Sequence, residues 1–281
     1  MTGETSFQAA YRMKRKHKKT AVLNFANAVN PGGGVLYGAC AQEEDICRCS
    51  NLYPCLVKPE VYEAFYRYNQ MAGPYYSDRV IYSPNITVFK REGVKPEYTD
   101  DWFQVGILTC PAPNLNGILK PDYQKLEKIY RKRIRNILAV AAAHGVQALV
   151  LGAVSCGAFR NPPELVAEAF LHEFTQGEFK NTFKEIVFAI KADSQQGVHN
   201  LQVFQAVFSP WQQDAEYGSQ TTVVEMGRLA DRCIQEMSKQ ELVAYFQEKE
   251  RRADWIIAAL LGSAGMLIIL EIILLCLLFI R

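Results

Sequence analysis

The chain has 281 residues, with 31 Lys and Arg against 29 Asp and Glu, and a formal net charge of +2 at pH 7. So small a charge gives no argument for a nucleic-acid partner, and we expect no direct DNA binding. Eight cysteines without an N-terminal signal peptide favour free thiols in a reducing compartment over a disulfide framework.

A capping box marks the start of the first predicted helix. Thr5 is placed as its N-cap and Gln8 as its third helical residue, and we expect the helix to reach about Lys18. The basic run at residues 14–19 falls in the last turns, where cations suit the helix macrodipole. A nuclear-localisation or phosphate-binding patch is the alternative interpretation of that run.

The rest of the N-terminal domain is predicted from apolar periodicity. We predict helices over residues 39–50, 61–71, 123–144, 162–175 and 201–208, and strands over residues 21–25, 79–82, 87–89, 102–108, 148–151 and 186–190. Residues 83–85 are predicted to form a turn between two of these strands. Because helices and strands alternate, we expect an α/β domain with a mixed or parallel sheet and helices on both faces.

The C-terminal part changes in character. We expect a domain over residues 1–208, a linker over 209–222 and an amphipathic helical spacer over 223–252 that could bind a partner or self-associate. Residues 255–280 are almost entirely apolar, so a single transmembrane helix is predicted within 254–281. Three basic residues at 249–252 precede the span and one follows it. The positive-inside rule therefore predicts a tail-anchored protein with its N-terminal domain in the cytoplasm.

Two loops that follow predicted strands carry the residues with the clearest chemistry. The first contains Gly32, Gly33 and Gly34, where the backbone has no Cβ and a ligand can reach the amides. The second loop covers residues 155–161. Free amides and helix N-termini bind phosphate oxygens, so two such loops could hold a diphosphate. Neither matches the P-loop or the dinucleotide fingerprint, which argues against ATP-driven chemistry and hydride transfer.

Eight residues after the triple glycine stand Gln42, Glu43 and Glu44. Adjacent side chains on a helix diverge by about 100°, so the two carboxylates are badly placed to flank one bond as in an inverting glycosidase. We expect one carboxyl to act as both acid and base while the other orients it. A bound diphosphate next to that acid should raise its pKa by like-charge repulsion.

Three segments in this order carry a resemblance to a known family. They are Leu23-Asn24-Phe25-Ala26-Asn27-Ala28-Val29-Asn30-Pro31-Gly32-Gly33-Gly34, then Gln42-Glu43-Glu44, then Leu52-Tyr53-Pro54. This pattern resembles the microbial-type poly(ADP-ribose) glycohydrolase family, whose signature is a triple glycine followed at short distance by Gln-Glu-Glu on a macrodomain-like fold. Residues 157–162 are similar to the family's phosphate-binding loop, and the resemblance covers about residues 3–208.

The resemblance implies the hydrolysis of ribose–ribose bonds in poly(ADP-ribose), without a metal or cofactor. It implies that Glu44 protonates the leaving 2′-oxygen and then activates water, with Glu43 as its catalytic neighbour. The implied substrate contacts are Asn30 at the distal ribose, Gly32, Gly33 and Gly34 at the scissile ribose and its phosphate, Gln42 beside the acid, and Cys156, Gly157, Ala158 and Phe159 around the diphosphate.

Other interpretations remain beside this one. Cys40, Cys47, Cys49 and Cys55 could suggest zinc, but they lack a CxxC pair and a nearby His, so buried or free thiols are preferred. Cys156 has no His close in sequence to activate it as a nucleophile. The functional alternatives are a non-catalytic ADP-ribose reader and an enzyme that removes single ADP-ribose units from proteins. The intact glutamate pair argues against a reader.

Overall fold

The computed structural model describes residues 1–93 and 95–217. The helices are α1 (Ser6–Lys14), α2 (Gln42–Cys49), α3 (Leu52–Leu56), α4 (Pro59–Val61), α5 (Tyr68–Gln70), α6 (Tyr123–Ala143), α7 (Pro163–Thr175) and α8 (Gln195–Tyr217). A π-helical segment, Tyr62–Arg67, joins α4 to α5, and short 3-10 helices occupy Val35–Tyr37 and Leu115–Gly117. The strands are β1 (Thr20–Ala26), β2 (Ile81–Arg91), β3 (Glu97–Pro111), β4 (Ala148–Leu151) and β5 (Glu185–Phe188).

The five strands form one mixed sheet in the order β2-β3-β1-β4-β5. β1 runs parallel to both of its neighbours, with Ala21 opposite Gly106 of β3 and Leu149 of β4. β5 is parallel to β4, and only the β2–β3 pair is antiparallel. The carboxyl ends of β1, β3, β4 and β5 therefore meet at one edge of the sheet, where ligands bind in α/β proteins.

Alternate residues of the central strand face two separate apolar layers. Ala21 and Leu23 pack on the side covered by α6, α7 and α8, whereas Val22 packs on the side covered by α1, α2 and α3. On the first side the ring of Phe188 contacts those of Phe170 and Phe204. The structure thus confirms the expected α/β fold with a mixed sheet between helices.

Two predicted boundaries differ in the first half of the chain. Thr5 does form a capping box with Gln8, but α1 ends at Lys14 rather than near Lys18. The predicted turn at residues 83–85 is wrong, because β2 is one continuous strand with a register shift between Ser83 and Ile86. A bulge accommodates the extra residues and returns the chain to the same partner strand, with Asn85 at φ 53°.

The last described helix is longer than predicted. Ser194 Oγ accepts a hydrogen bond from the Gly197 N–H at 3.1 Å, which fixes the start of α8 six residues before the predicted Leu201. The helix continues through Pro210 to Tyr217, so residues 209–217 are helical rather than loop-like. The predicted spacer at 223–252 and the predicted membrane span at 254–281 lie outside the described residues. Within the described part of the chain, no helix is long and apolar enough to span a membrane.

Candidate active site

Two loops leave the sheet side by side, because β1 and β4 are neighbouring parallel strands. The loop after β1 turns at Asn27, whose Oδ1 accepts the N–H groups of Val29 and Asn30, both at 2.9 Å. An asparagine side chain that bonds its own backbone in this way favours a turn. The turn delivers the exposed side chain of Asn30 to the rim of the site, immediately before the glycines.

The glycines bring the backbone against the two glutamates of α2. Gly32 and Gly33 adopt φ values of 68° and 60°, which side chains disfavour. A Cβ on Gly33 would overlap Glu44 Oε1 and lie 3.1 Å from Glu43 Oε2. A Cβ on Gly34 would lie 2.7 Å from that of Ala39. Both carboxylates therefore converge on Gly33, although their side chains leave the helix in different directions.

Glu44 is held by backbone amides on both of its oxygens. Oε1 accepts the Gly34 N–H at 2.8 Å and Oε2 accepts the Ala41 N–H at 3.0 Å. The second bond also caps the start of α2, where a carboxylate interacts favourably with the helix dipole. These bonds fix the orientation of a carboxyl group that lies directly beneath the glycine loop.

Glu43 points back toward the end of β1. Its Oε2 accepts the Asn27 N–H at 2.7 Å, and its Oε1 accepts a hydrogen bond from Asn24 Nδ2 at 3.3 Å. Burial raises the pKa of Glu43 to about 8 despite those bonds, and the charge of neighbouring Glu44 adds to the rise. The side chain is therefore largely protonated at neutral pH. That one carboxyl acts in the site while the other supports it stays a prediction.

Gln42 uses its side chain to connect three elements. Its Oε1 accepts the Phe25 N–H at 2.9 Å, and its Nε2 donates to Leu23 O at 2.8 Å and to Ser6 Oγ at 3.0 Å. These bonds attach α2 to β1 and α1. Gln42 was predicted to contact the substrate. In the structure, both polar atoms of its side chain instead form hydrogen bonds within the protein.

The amides of the triple glycine are likewise engaged. The Gly33 N–H donates to Asn30 O at 3.0 Å, the Gly34 N–H donates to Glu44, and the Gly32 N–H faces Glu43. The expectation that these three amides stand free for a polyanion is therefore corrected: two of them face the carboxylates and the third binds a backbone carbonyl. Gly32, Gly33 and Gly34 remain predicted substrate contacts, and of the three only Gly33 and Gly34 are partly exposed.

The second loop is kept open by a buried asparagine. Asn161 Nδ2 donates to Pro113 O at 2.8 Å and to the carbonyls of Ser155 and Phe159, each at 3.3 Å. Ser155 and Arg160 adopt positive φ at the two ends of the loop. In the part of the chain that is described, the N–H groups of Gly157, Ala158 and Phe159 donate to no protein acceptor. Those amides can bind an anion.

Cys156 does not face a ligand in this geometry. Its thiol is buried and donates to Val154 O at 3.5 Å, and its N–H donates to Ala153 O at 3.2 Å. Burial also raises its pKa well above the ordinary value for a thiol. The predicted substrate contact at Cys156 is therefore replaced by a packing role, and the contacts of this loop begin at Gly157.

Several residues that shape the site were not identified from the sequence. Asn24, Asn27 and Asn161 hold the glutamates and the second loop, yet each asparagine looks like an ordinary polar residue near a strand end. The available signal was their position, because each stands in an otherwise apolar strand or beside a turn. Among the described residues, no group of three His, Cys, Asp or Glu side chains is arranged to hold a metal.

A cavity of about 450 Å³ opens at the same edge of the sheet, beyond the end of β5. It is separate from the glutamate pair, and it lies between the loop that follows β5 and the first turns of α8. Its lining is formed by Ala192, Asp193, Ser194, Gln195, Val198, His199 and Gln202. Along this edge of the sheet, from β1 through β4 to β5, there is thus a carboxylate pair, then a loop with free amides, then an open cavity.

Comparison with known proteins gives a consistent result. The model of the microbial-type poly(ADP-ribose) glycohydrolase catalytic domain matches residues 1–91. The structure is similar to that of poly(ADP-ribose) glycohydrolase from Thermomonospora curvata bound to the inhibitor ADP-HPD, with 36% identity over 73% of this chain and 77% of that one and a TM-score of 0.66.

It is also similar to the enzyme from Deinococcus radiodurans in complex with ADP-ribose, with 38% identity over 74% of this chain and 82% of that one and a TM-score of 0.67. A search of curated protein sequences gave no significant match. The identity and coverage of the two structural relatives decide the assignment. The chain belongs to the microbial-type poly(ADP-ribose) glycohydrolase family.

Proposed function

We propose that the chain hydrolyses the ribose–ribose O-glycosidic bond of poly(ADP-ribose) and releases ADP-ribose. The single observation that carries this proposal is the carboxylate of Glu44, held beneath the glycine loop by the N–H groups of Gly34 and Ala41. A carboxyl fixed at the surface of a loop without side chains can reach a sugar that lies on that loop. Family membership supplies the substrate class.

Glu44 acts first as the acid and then as the base. In its protonated form it gives its proton to the 2′-oxygen of the leaving ribose as the bond from that oxygen to the anomeric carbon breaks. The electron pair of the bond leaves with the oxygen, and positive charge develops on the sugar. Water then attacks the anomeric carbon and returns a proton to the Glu44 carboxylate. One water is consumed for each bond broken.

Glu43 and Gln42 are positioning residues in this scheme. Glu43 is bonded to the end of β1 and is largely protonated, so it supports Glu44 without placing a second full negative charge beside it. Gln42 fixes α2 against β1 and thereby fixes the depth of both glutamates. We propose that Asn30 contacts the distal ribose and that the Cα atoms of the triple glycine contact the scissile one.

The remainder of ADP-ribose follows the same edge of the sheet. The free amides of Gly157, Ala158 and Phe159 suit a diphosphate, and the partly exposed ring of Phe159 can pack against the sugar or the base. The cavity beyond β5 is large enough for the adenosine end. This path orders the ligand from Glu44 across β4 to β5.

Release of ADP-ribose from labelled poly(ADP-ribose) tests the proposal. We expect wild-type protein to release it, and Glu44→Gln to release it about 10²- to 10⁴-fold more slowly while still binding ADP-ribose. Binding without release by wild-type protein would leave an ADP-ribose reader. Release only from proteins that carry single ADP-ribose units would identify the mono-ADP-ribosyl-protein hydrolase instead.

We also propose, from the sequence alone, that the catalytic domain is joined through a segment after α8 and a spacer (223–252) to a membrane-spanning helix within 254–281. The domain then faces the cytoplasm, because basic residues precede the span. Full-length protein should stay in membranes washed with sodium carbonate, and added protease should digest its N-terminal domain in sealed vesicles. Protection of that domain would contradict the orientation.

Self-association through the spacer at 223–252 is a separate proposal, based on its apolar stripe. Sedimentation of full-length protein and of a fragment ending at Tyr217 would test it. The proposal requires a larger assembly for the full chain only.

A further inference from the structure

A tyrosine beside the acid has no use in the mechanism described above. Tyr37 lies in the short 3-10 helix Val35–Tyr37 that follows the triple glycine, and its side chain is 91% exposed. In the described part of the chain, its ring makes no hydrogen bond and no ring contact with another residue. So large an apolar surface at the rim of a catalytic site is available to a ligand.

Hydrogen bonds of Gly34 connect the backbone of this segment to the Glu44 carboxylate. The N–H of Gly34 binds Glu44 Oε1, while its C=O accepts the N–H groups of Tyr37 at 2.9 Å and Ala39 at 3.1 Å. Arg48 donates to Ala39 O at 2.6 Å and is itself paired with Asp45. The position of the tyrosine backbone is therefore fixed relative to the acid, and only the side chain is free to adapt.

The chemistry of the leaving group indicates which part of the substrate lies near the Tyr37 ring. This step rests on the proposed hydrolysis. The leaving 2′-oxygen belongs to an adenosine ribose, and the adenine is attached to the next carbon of the same sugar. When a polymer is cleaved, an adenine therefore lies within one ribose of the Glu44 carboxyl. When a single ADP-ribose unit is removed from a protein, the leaving group carries no base.

We propose that Tyr37 stacks on the adenine of the leaving unit and thereby favours polymer over protein-linked single units. Every base has a planar π-face, so an exposed tyrosine can bind it without sequence readout. The ring contributes on the leaving side of the scissile bond, whereas the diphosphate loop and the cavity beyond β5 bind the released unit. Tyr37 is a specificity residue in this proposal and takes no part in proton transfer.

Binding measured in a Glu44→Gln background tests the proposal with substrates that differ by one unit. The two probes are ADP-ribose and a chain of two ADP-ribose units. Adding Tyr37→Ala should weaken binding of the two-unit chain by about 5- to 100-fold, the range for loss of one base stack. Binding of ADP-ribose should change by less than about 2-fold, because it has no leaving unit.

Two further variants complete the design. Tyr37→Phe keeps the ring and should bind the two-unit chain as the parent does. Tyr98→Ala removes another exposed tyrosine (76%), at the start of β3 against Phe89, and should change neither affinity. Equal losses for both probes, or no loss for the longer one, would overturn the assignment. Failure of wild-type protein to cleave polymer would remove the proposed hydrolysis alone, since the comparison is made by binding.

Discussion

Gly33 lies against the carboxylate of Glu44 so closely that a methyl group on its Cα would overlap Oε1. The same Cα is close to Glu43, whose Oε2 would lie 3.1 Å from that methyl group. The glycine loop is therefore shaped first by the two acids beneath it.

Gly33→Ala should abolish most of the activity. The new methyl group must displace the Glu44 carboxylate, and the φ of 60° adds strain of about 1–2 kcal/mol. We expect kcat to fall at least about 100-fold, since misplacement by 1 Å can cost that much. Polymer hydrolysis and urea unfolding provide the two measurements.

Gly145→Ala is the matched control for that variant. Gly145 follows α6 at the opposite edge of the sheet with a φ of 66°, and a methyl group there meets only the end of the Lys19 side chain, at 3.4 Å. It should lose about 1–2 kcal/mol of stability and keep its kcat. Similar activity in the two variants would contradict the contact between Gly33 and Glu44.

The raised pKa of Glu43 makes stability depend on pH. Burial raises its pKa from the ordinary value of 4.5 to about 8 in the folded protein, so the folded state binds more protons between these values. The contribution of Glu43 to the free energy of unfolding is therefore fully present below pH 4.5 and is lost as the pH rises through 8. The free energy of unfolding of the wild type should therefore fall between pH 5.5 and 8.5 more steeply than that of Glu43→Gln.

Chemical denaturation at several pH values measures this difference. A parallel pH dependence in the two proteins would show that Glu43 is ionised in the folded state at neutral pH.

The sequence predicted the parts of the fold that depend on local signals. The capping box at Thr5 is encoded within a few residues, and it is present in the structure. Apolar runs likewise predicted β1 and β4, because a fully buried strand needs no alternation. The carboxylates were found because their spacing from the glycines is short.

Features that depend on distant partners could not be predicted in this way. The side-chain amide of Gln42 is bonded to residues 17 to 36 positions away. No local sequence pattern can therefore distinguish a structural role for Gln42 from a ligand contact. The direction of the glycine N–H groups depends on the positive φ values of Gly32 and Gly33. Glycine allows such values but does not require them, so the sequence does not predict them. The last helix was predicted to end at Phe208, where the chain becomes polar, yet α8 continues through Pro210 to Tyr217.

Gln42→Ala should lower both the stability of the domain and its kcat. The substitution leaves the Phe25 N–H and Leu23 O without their partners at the end of β1, which should cost about 2–4 kcal/mol. We expect a lower melting temperature and a reduced kcat, because α2 carries both glutamates. A variant that is as stable as the wild type but has a higher KM would instead identify Gln42 as a direct substrate contact.

Asn161→Ala should weaken ligand binding through the shape of the second loop. Its side chain donates to three carbonyls that lie on both sides of the free amides of residues 157–159. Without it, those amides lose their fixed direction, and we expect the affinity for ADP-ribose to fall about 10-fold, equivalent to about 1.4 kcal/mol. Calorimetric titration with ADP-ribose measures this change, and thermal unfolding should show a loss of about 1–3 kcal/mol.

Asn69→Ala separates this effect from a general loss of stability. Asn69 is equally buried, and its side chain bonds Phe65 O at 2.9 Å and the Ser77 N–H at 2.8 Å, neither of which belongs to the second loop. Its replacement should cost a similar amount of stability while ADP-ribose binds as before. If Asn69→Ala weakened binding as much as Asn161→Ala does, the loss would come from global destabilisation. The amides of the second loop would then keep their direction without the Asn161 side chain, through the bonds from Leu115 and Asn116 and the backbone bonds within the loop.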